Sequence, residues 1–158
     1  MDDIMLLISD KLLGLVRAAK RPVQLLWAAP VTLSCFLVYI APAWALGWYR
    51  LLGTTGNAYV FVTNPEKMPK WLAKLWEPWA GQCCGNCVVL KNAPGSSPHA
   101  TVTLVHELIH VRQVMTWGIL QPIMYMMSSL AEAMAGEDHY RQNAFERAAR
   151  RGAGQTLE

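Results

Sequence analysis

Val105-His106-Glu107-Leu108-Ile109-His110 decides how this chain is read. Residues four apart on a helix project from one face, so His106 and His110 can point at one metal ion. Glu107, one position on from His106, can then touch a water at that ion without ligating the metal itself. That is the arrangement zinc hydrolases use. The flanks support a helix. Ser97-Pro98 offers a capping serine followed by proline in the first turn, and Gly118 stops the run after Trp117.

Working outward, Asn86–Lys91 reads as a strand and Asn92–Ser97 as a loop turned by Pro94-Gly95. That strand is the expected edge against which an extended peptide could pair. A further strand is expected over Asn57–Thr63, and Pro69–Trp79 is a Trp-rich amphipathic stretch, either an interfacial belt or a helix packed on the core. Downstream, Pro122 heads an apolar helix ending near Gly136, and a last helix is expected over Asp138–Arg151. The Met-rich part of the apolar helix, Ile119–Leu130, reads as a core or lipid-facing surface.

Composition limits the alternatives. The 158 residues are 53% hydrophobic and only 16% charged, too apolar for a small globule with much surface to wet. The excess must lie against lipid, a partner or a second copy. A net charge of +3 with no aromatic–basic interleaving gives no reason to expect nucleic acid. Met1–Lys20 reads as an amphipathic helix, and no charge occurs from Pro22 to Tyr49, a length sufficient to cross a bilayer. Pro30 and Pro42 interrupt that stretch, so a bent or re-entrant hairpin is the alternative to a crossing. Ala43-Trp44-Ala45 also resembles a signal cleavage site. The expected localisation is membrane-associated, with lipid as a partner and the side of the catalytic part undecided.

A catalytic zinc needs a third protein ligand, and Glu132, Glu137, Asp138, His139 and Glu146 are within reach in sequence. Glu132 lies among alanines on an apolar helix, where a lone carboxylate is costly. Glu146 by itself reads first as a surface glutamate paired with Arg150 at i+4. Cys84 and Cys87 have CxxC spacing, which with Cys83 and His99 allows a second metal site. A disulfide or ordinary buried thiols are the other readings.

His106-Glu-Leu-Ile-His-Val-Arg-Gln113, Trp117-Gly118 and Tyr140-Arg-Gln-Asn-Ala-Phe-Glu-Arg147 together resemble a family of small bacterial and phage-type HExxH zinc metallopeptidases, similar to minimal gluzincins. The resemblance covers about Gly85 to Arg151. It implies Glu146 as third ligand beside His106 and His110, Asn143 as the residue positioning the glutamate helix, and Glu107 as general base. Ala144 departs from the family's proline, and Ala148 stands where a second acidic residue is common. The implied fold is α+β and mainly helical: a minimal zincin-like core of a short hairpin or small sheet, an active-site helix and a glutamate helix, plus an apolar helical N-terminal segment. Residues 1–52 form the membrane-associated segment in this reading, 53–151 the metallopeptidase domain and 152–158 a flexible tail. The expected function is zinc-dependent peptide hydrolysis on a peptide or protein substrate; Tyr140 and Tyr125 read first as packed core residues, with a second electrophile as the alternative role for either. The alternative is a non-catalytic membrane or virion assembly protein stapled by a structural metal.

Overall fold

The computed structural model describes residues 20–156, so the amphipathic reading of the first nineteen residues lies outside it. The described residues form an α+β fold, mostly helical. The first helix, α1, covers Lys20–Ala45 and is long and apolar enough to cross a membrane. The hairpin of β1 (Tyr49–Thr55) and β2 (Ala58–Thr63) follows, then α2 (Lys70–Trp76), β3 (Gly81–Cys84) and β4 (Cys87–Leu90). Three helices complete the chain: α3 (Pro98–Trp117), α4 (Leu120–Met134) and α5 (Ala144–Gly152).

The sheet order is β1-β2-β4-β3, with β2 and β4 parallel and both outer pairs antiparallel. All four residues of β4 are buried, the continuous apolar pattern of a strand covered on both faces. Val88 and Leu90 enter one core cluster with Val60, Val111 and Val114, while Cys87 and Val89 enter the other with Tyr49, Phe61 and Trp76. The edge expected at Asn86–Lys91 is therefore interior. The edge strand beside α3 is β3, which the cysteine-rich reading of Cys83-Cys84 had obscured.

Neither hairpin nor break is found in the apolar N-terminal stretch. α1 runs through Pro30, and a π-helical turn at Phe36–Ile40 precedes Pro42, where the missing N–H and the ring would otherwise disturb the ladder. One side of α1 touches the rest of the fold at points spaced along its length, while its other side is exposed. Arg21 donates to Asn57 Oδ1 at 2.7 Å, Ala28 joins the first core cluster, and Ile40 and Ala43 join the second. Thr32 Oγ1 donates to Asn86 Oδ1 at 2.9 Å and accepts from the Asn86 N–H at 3.1 Å. Cys35 is disulfide-bonded to Cys84, with Cα atoms 5.7 Å apart, while Cys83 and Cys87 are free. Cys84 is thus committed to a disulfide, which excludes it as a ligand of the CxxC metal site. Trp76 belongs to the core, whereas Trp71 and Trp79 are exposed.

The last helix starts later than expected. Asp138 Oδ1 accepts from the N–H groups of Tyr140 and Arg141 at 2.9 and 2.8 Å, closing a turn instead of opening a helix. The helix begins after Asn143, whose Oδ1 accepts from Phe145 N–H at 2.8 Å as an N-cap.

Candidate metal centre

α3 is capped as its sequence demands, Ser97 Oγ accepting from Ala100 N–H at 3.1 Å. It buries His106, Glu107 and His110. α5 is short, and it buries only Glu146 and Ala149, so the glutamate is one of two groups that define how this helix docks. Glu146 meets both histidines, with Oε2 3.3 Å from His106 Nε2 and Oε1 3.3 Å from His110 Nε2. The two Nε2 atoms lie 3.1 Å apart. A tetrahedral zinc with ligands at its usual distances has edges of about 3.3 Å; each imidazole stands at about that distance from one of the two carboxylate oxygens, and one ligand atom from each residue lies within 4.8 Å of the others. The three residues form a buried group able to hold a metal ion. Glu146 does not pair with Arg150, which instead stacks on the Tyr140 ring at 5.3 Å. Glu132, Glu137, Asp138 and His139 are not part of this group.

Two glutamines settle which ring nitrogens face the centre. His110 Nδ1 lies 2.7 Å from Gln113 Oε1, and His106 Nδ1 lies 2.8 Å from Gln155 Oε1. Gln113 cannot be turned round, because its amide nitrogen donates to Phe145 carbonyl oxygen at 3.0 Å. An amide oxygen only accepts, so His110 carries its proton on Nδ1, as does His106 with the Gln155 amide oriented as it stands. In the neutral rings both Nε2 lone pairs then point at a carboxylate. Three acceptors converge without a donor among them, and Glu146 Oε2 is buried with no hydrogen bond. Such a cluster is unfavourable unless a proton or a cation sits within it.

The electrostatics agree. Burial opposes charge on both Glu146 and His110, but each wins back its charged form from the other. With the imidazoles protonated, their attraction together with the Tyr125 hydroxyl holds the Glu146 carboxyl well below the usual range, and Glu146 raises His110. Glu107 has no such partner. Burial pushes its carboxyl up to about 7 despite the two imidazoles.

The supporting shell comes from α4. Tyr125 O–H donates to Glu146 Oε1 at 2.8 Å, which makes this tyrosine a positioning group for the carboxylate. Asn143 is fully buried, and its amide donates to Tyr125 carbonyl oxygen at 3.0 Å and Ser129 Oγ at 2.7 Å. Ala144 N–H donates to Ser128 Oγ at 3.0 Å, a hydrogen bond that a proline at this position could not make.

Glu107 faces a cleft of about 390 Å³ between α1, β3, α3 and α4, with Tyr140 at its rim. Gly81, at the start of β3, makes room for it. A Cβ there would stand 2.9 Å from Glu107 Oε1 and 2.8 Å from Thr103 Cγ2. Gln155, Gln113 and Gly81 carried no role in the sequence reading. Gln113 is at i+3 from His110, a spacing that could have drawn attention to it. Gln155 lies in the tail read as flexible, where nothing local points to a role.

No known protein family, curated protein or solved structure gives a match to this chain.

Proposed function

We propose that the protein is a membrane-associated zinc peptidase. His106, His110 and Glu146 would hold the ion, and Glu107 would act as general base. The observation that carries the reading is the meeting of three buried metal-ligating side chains, one ligand atom of each within 4.8 Å of the others, beside a free, buried carboxylate that opens on a cleft. Two nitrogens and an oxygen are a zinc donor set, and three protein ligands leave one position open, as catalytic sites require. A structural site would close that position with a fourth protein ligand, and none of the described residues offers one.

Bound zinc would supply a Lewis acid that lowers the pKa of water and polarises a carbonyl. The chain's own groups supply the rest. Gln113 and Gln155 hold the imidazoles in the ligating tautomer, and Tyr125 and Asn143 hold Glu146 and its helix in place. Glu107, with its carboxyl near neutrality, is matched to taking a proton from water at the scissile carbonyl and passing it to the departing amine. Tyr125 is occupied by Glu146, which leaves Tyr140 as the candidate second electrophile. Burial and the nearby carboxylates push its phenol up to about 12, so it stays a donor at neutral pH. β3 is the edge strand along the cleft where an extended peptide would pair.

Zinc content and peptide cleavage, measured on the same samples, test the proposal. The wild type should hold one zinc per chain and cleave peptides. His110→Ala and Glu146→Ala should lose zinc, and Glu107→Gln should keep zinc and lose cleavage. A wild type that takes up no zinc on reconstitution, or a Glu107→Gln variant with full activity, would refute it.

A further inference from the structure

α4 is built inside out. Its inward positions are Gln121, Tyr125, Ser128, Ser129 and Glu132, three of which hold the site together, and no residue of the helix is buried. Its outward positions are apolar: Ile123, Met126, Met127, Leu130 and Met134 are 52–81% exposed. A helix at a water interface turns its apolar stripe to the core. α4 turns its stripe away, which is stable only where the outer medium is itself apolar.

α1 adds a second surface of the same kind. Leu26, Leu33, Leu37 and Val38 are exposed on a helix with no charge after Arg21. The two surfaces meet where the Trp27 ring lies against Gly118, so close that a Cβ on the glycine would fall 2.5 Å from it. Trp27, Trp44 and Trp117 are exposed around these helices, and Lys20 and Arg21 stand at the start of α1. Tryptophan and basic residues are the groups that settle at lipid headgroups, the latter favoured by anionic lipid.

We infer that the outer faces of α1 and α4 sink together into one leaflet, with α1 lying along the membrane surface instead of crossing the bilayer. The occupant of this surface is lipid. A crossing is disfavoured by what α1 touches. From Arg21 to Ala43 it packs on the body of the protein, a length of about 33 Å. The hydrocarbon core is about 30 Å thick. A spanning α1 would draw the sheet into it, with the open edges of β1 and β3 and the side chains of Arg50 and Gln82. Unpaired strand edges are not tolerated in hydrocarbon. The inference rests on the membrane-associated part of the proposed function and is independent of its chemistry.

Depth-resolved quenching tests it on the full chain. A fluorescent amino acid replaces Leu26, Leu33, Leu37 or Met127 in turn, all exposed positions, and the protein is bound to phosphatidylcholine vesicles containing some phosphatidylglycerol. Lipids brominated near the headgroup should quench all four probes to a similar degree, and lipids brominated near the chain end should quench them weakly. A depth gradient along α1, with Leu33 deepest, means a crossing and overturns the inference. Probes that stay unquenched also overturn it, and self-association of the same sample would then assign the surface to a second copy. In Met127→Asp/Leu130→Asp, partition onto these vesicles should weaken about tenfold or more. Unchanged partition would remove α4 from the membrane surface and refute the joint face.

Discussion

Carrying the metal-free chain from about pH 5 to about pH 8 ionises Glu107 inside the fold, where burial has moved its carboxyl from an ordinary 4.5 to about 7. A group whose pKa is raised by folding favours the fold most at low pH, and that stability is lost as pH rises through the folded value. For Glu107 the loss is about 3 kcal/mol. His110 is raised too and acts in the same direction above its ordinary range. Glu146 is held low, so its effect falls below the ordinary carboxylate range and outside this window. For a domain of this size about 3 kcal/mol corresponds to a Tm drop of about 6–12 °C. Zinc should remove the trend, since the ligands it needs are the deprotonated ones. At a thousandfold excess over Kd it should add about 4 kcal/mol. Far-UV circular dichroism melts, in one detergent, with chelator or with zinc, read both effects. Glu107→Gln, which keeps the shape and removes the charge, should flatten most of the metal-free slope. A metal-free Tm that is level or rises with pH would refute the reasoning, as would an unchanged slope in Glu107→Gln.

Other substitutions separate the parts of the site. Gln155→Ala should weaken zinc binding about 10–100-fold in a competition titration with the fold intact, because His106 loses the group that fixes its tautomer. Equal affinity would make the contact incidental. Asn143→Ala removes a cap and two donated hydrogen bonds, and should cost about 2–4 kcal/mol in denaturant unfolding. A cost below that range would mean α5 docks by other means. Gly81→Ala should displace the Glu107 carboxylate and cut peptide cleavage while leaving zinc content at one per chain. Loss of zinc in that variant would show that β3 supports the ligands themselves.

The parts of the fold readable in advance were those written in local chemistry. α3 follows from Ser97-Pro98 and Gly118, and β4 from an apolar run bounded by turn residues. β3 was hidden because four residues, two of them cysteines, carry no alternation to read. β1 was lost at the end of the uncharged stretch, where Leu51-Leu52 look like its continuation. The start of α5 was misplaced because Asp138 and Asn143 are both good first residues, and only packing against Ser128 and Ser129 selects the second. Within the site, the two histidines and Glu107 share one helix and could be seen together. Glu146 stood among several carboxylates until the resemblance singled it out, because its partners lie far away in sequence. Gln155 was beyond any local reading for the same reason, its histidine being 49 residues away.

The embedding of α1 in the fold has a practical side, for anyone who would make the protein in pieces. Hydropathy invites the experimenter to cut before the hairpin and express the remainder as a soluble fragment. That cut would strip Ala28 from one core cluster and Ile40 and Ala43 from the other. It would also take away the hydrogen bonds that hold Asn86 and the partner of Cys84. The fragment would open the cleft along one wall and lay bare the sheet behind it. Trimming the greasy end to gain solubility should yield aggregated protein, and the productive course is to keep α1 and supply the detergent or lipid its outer face requires.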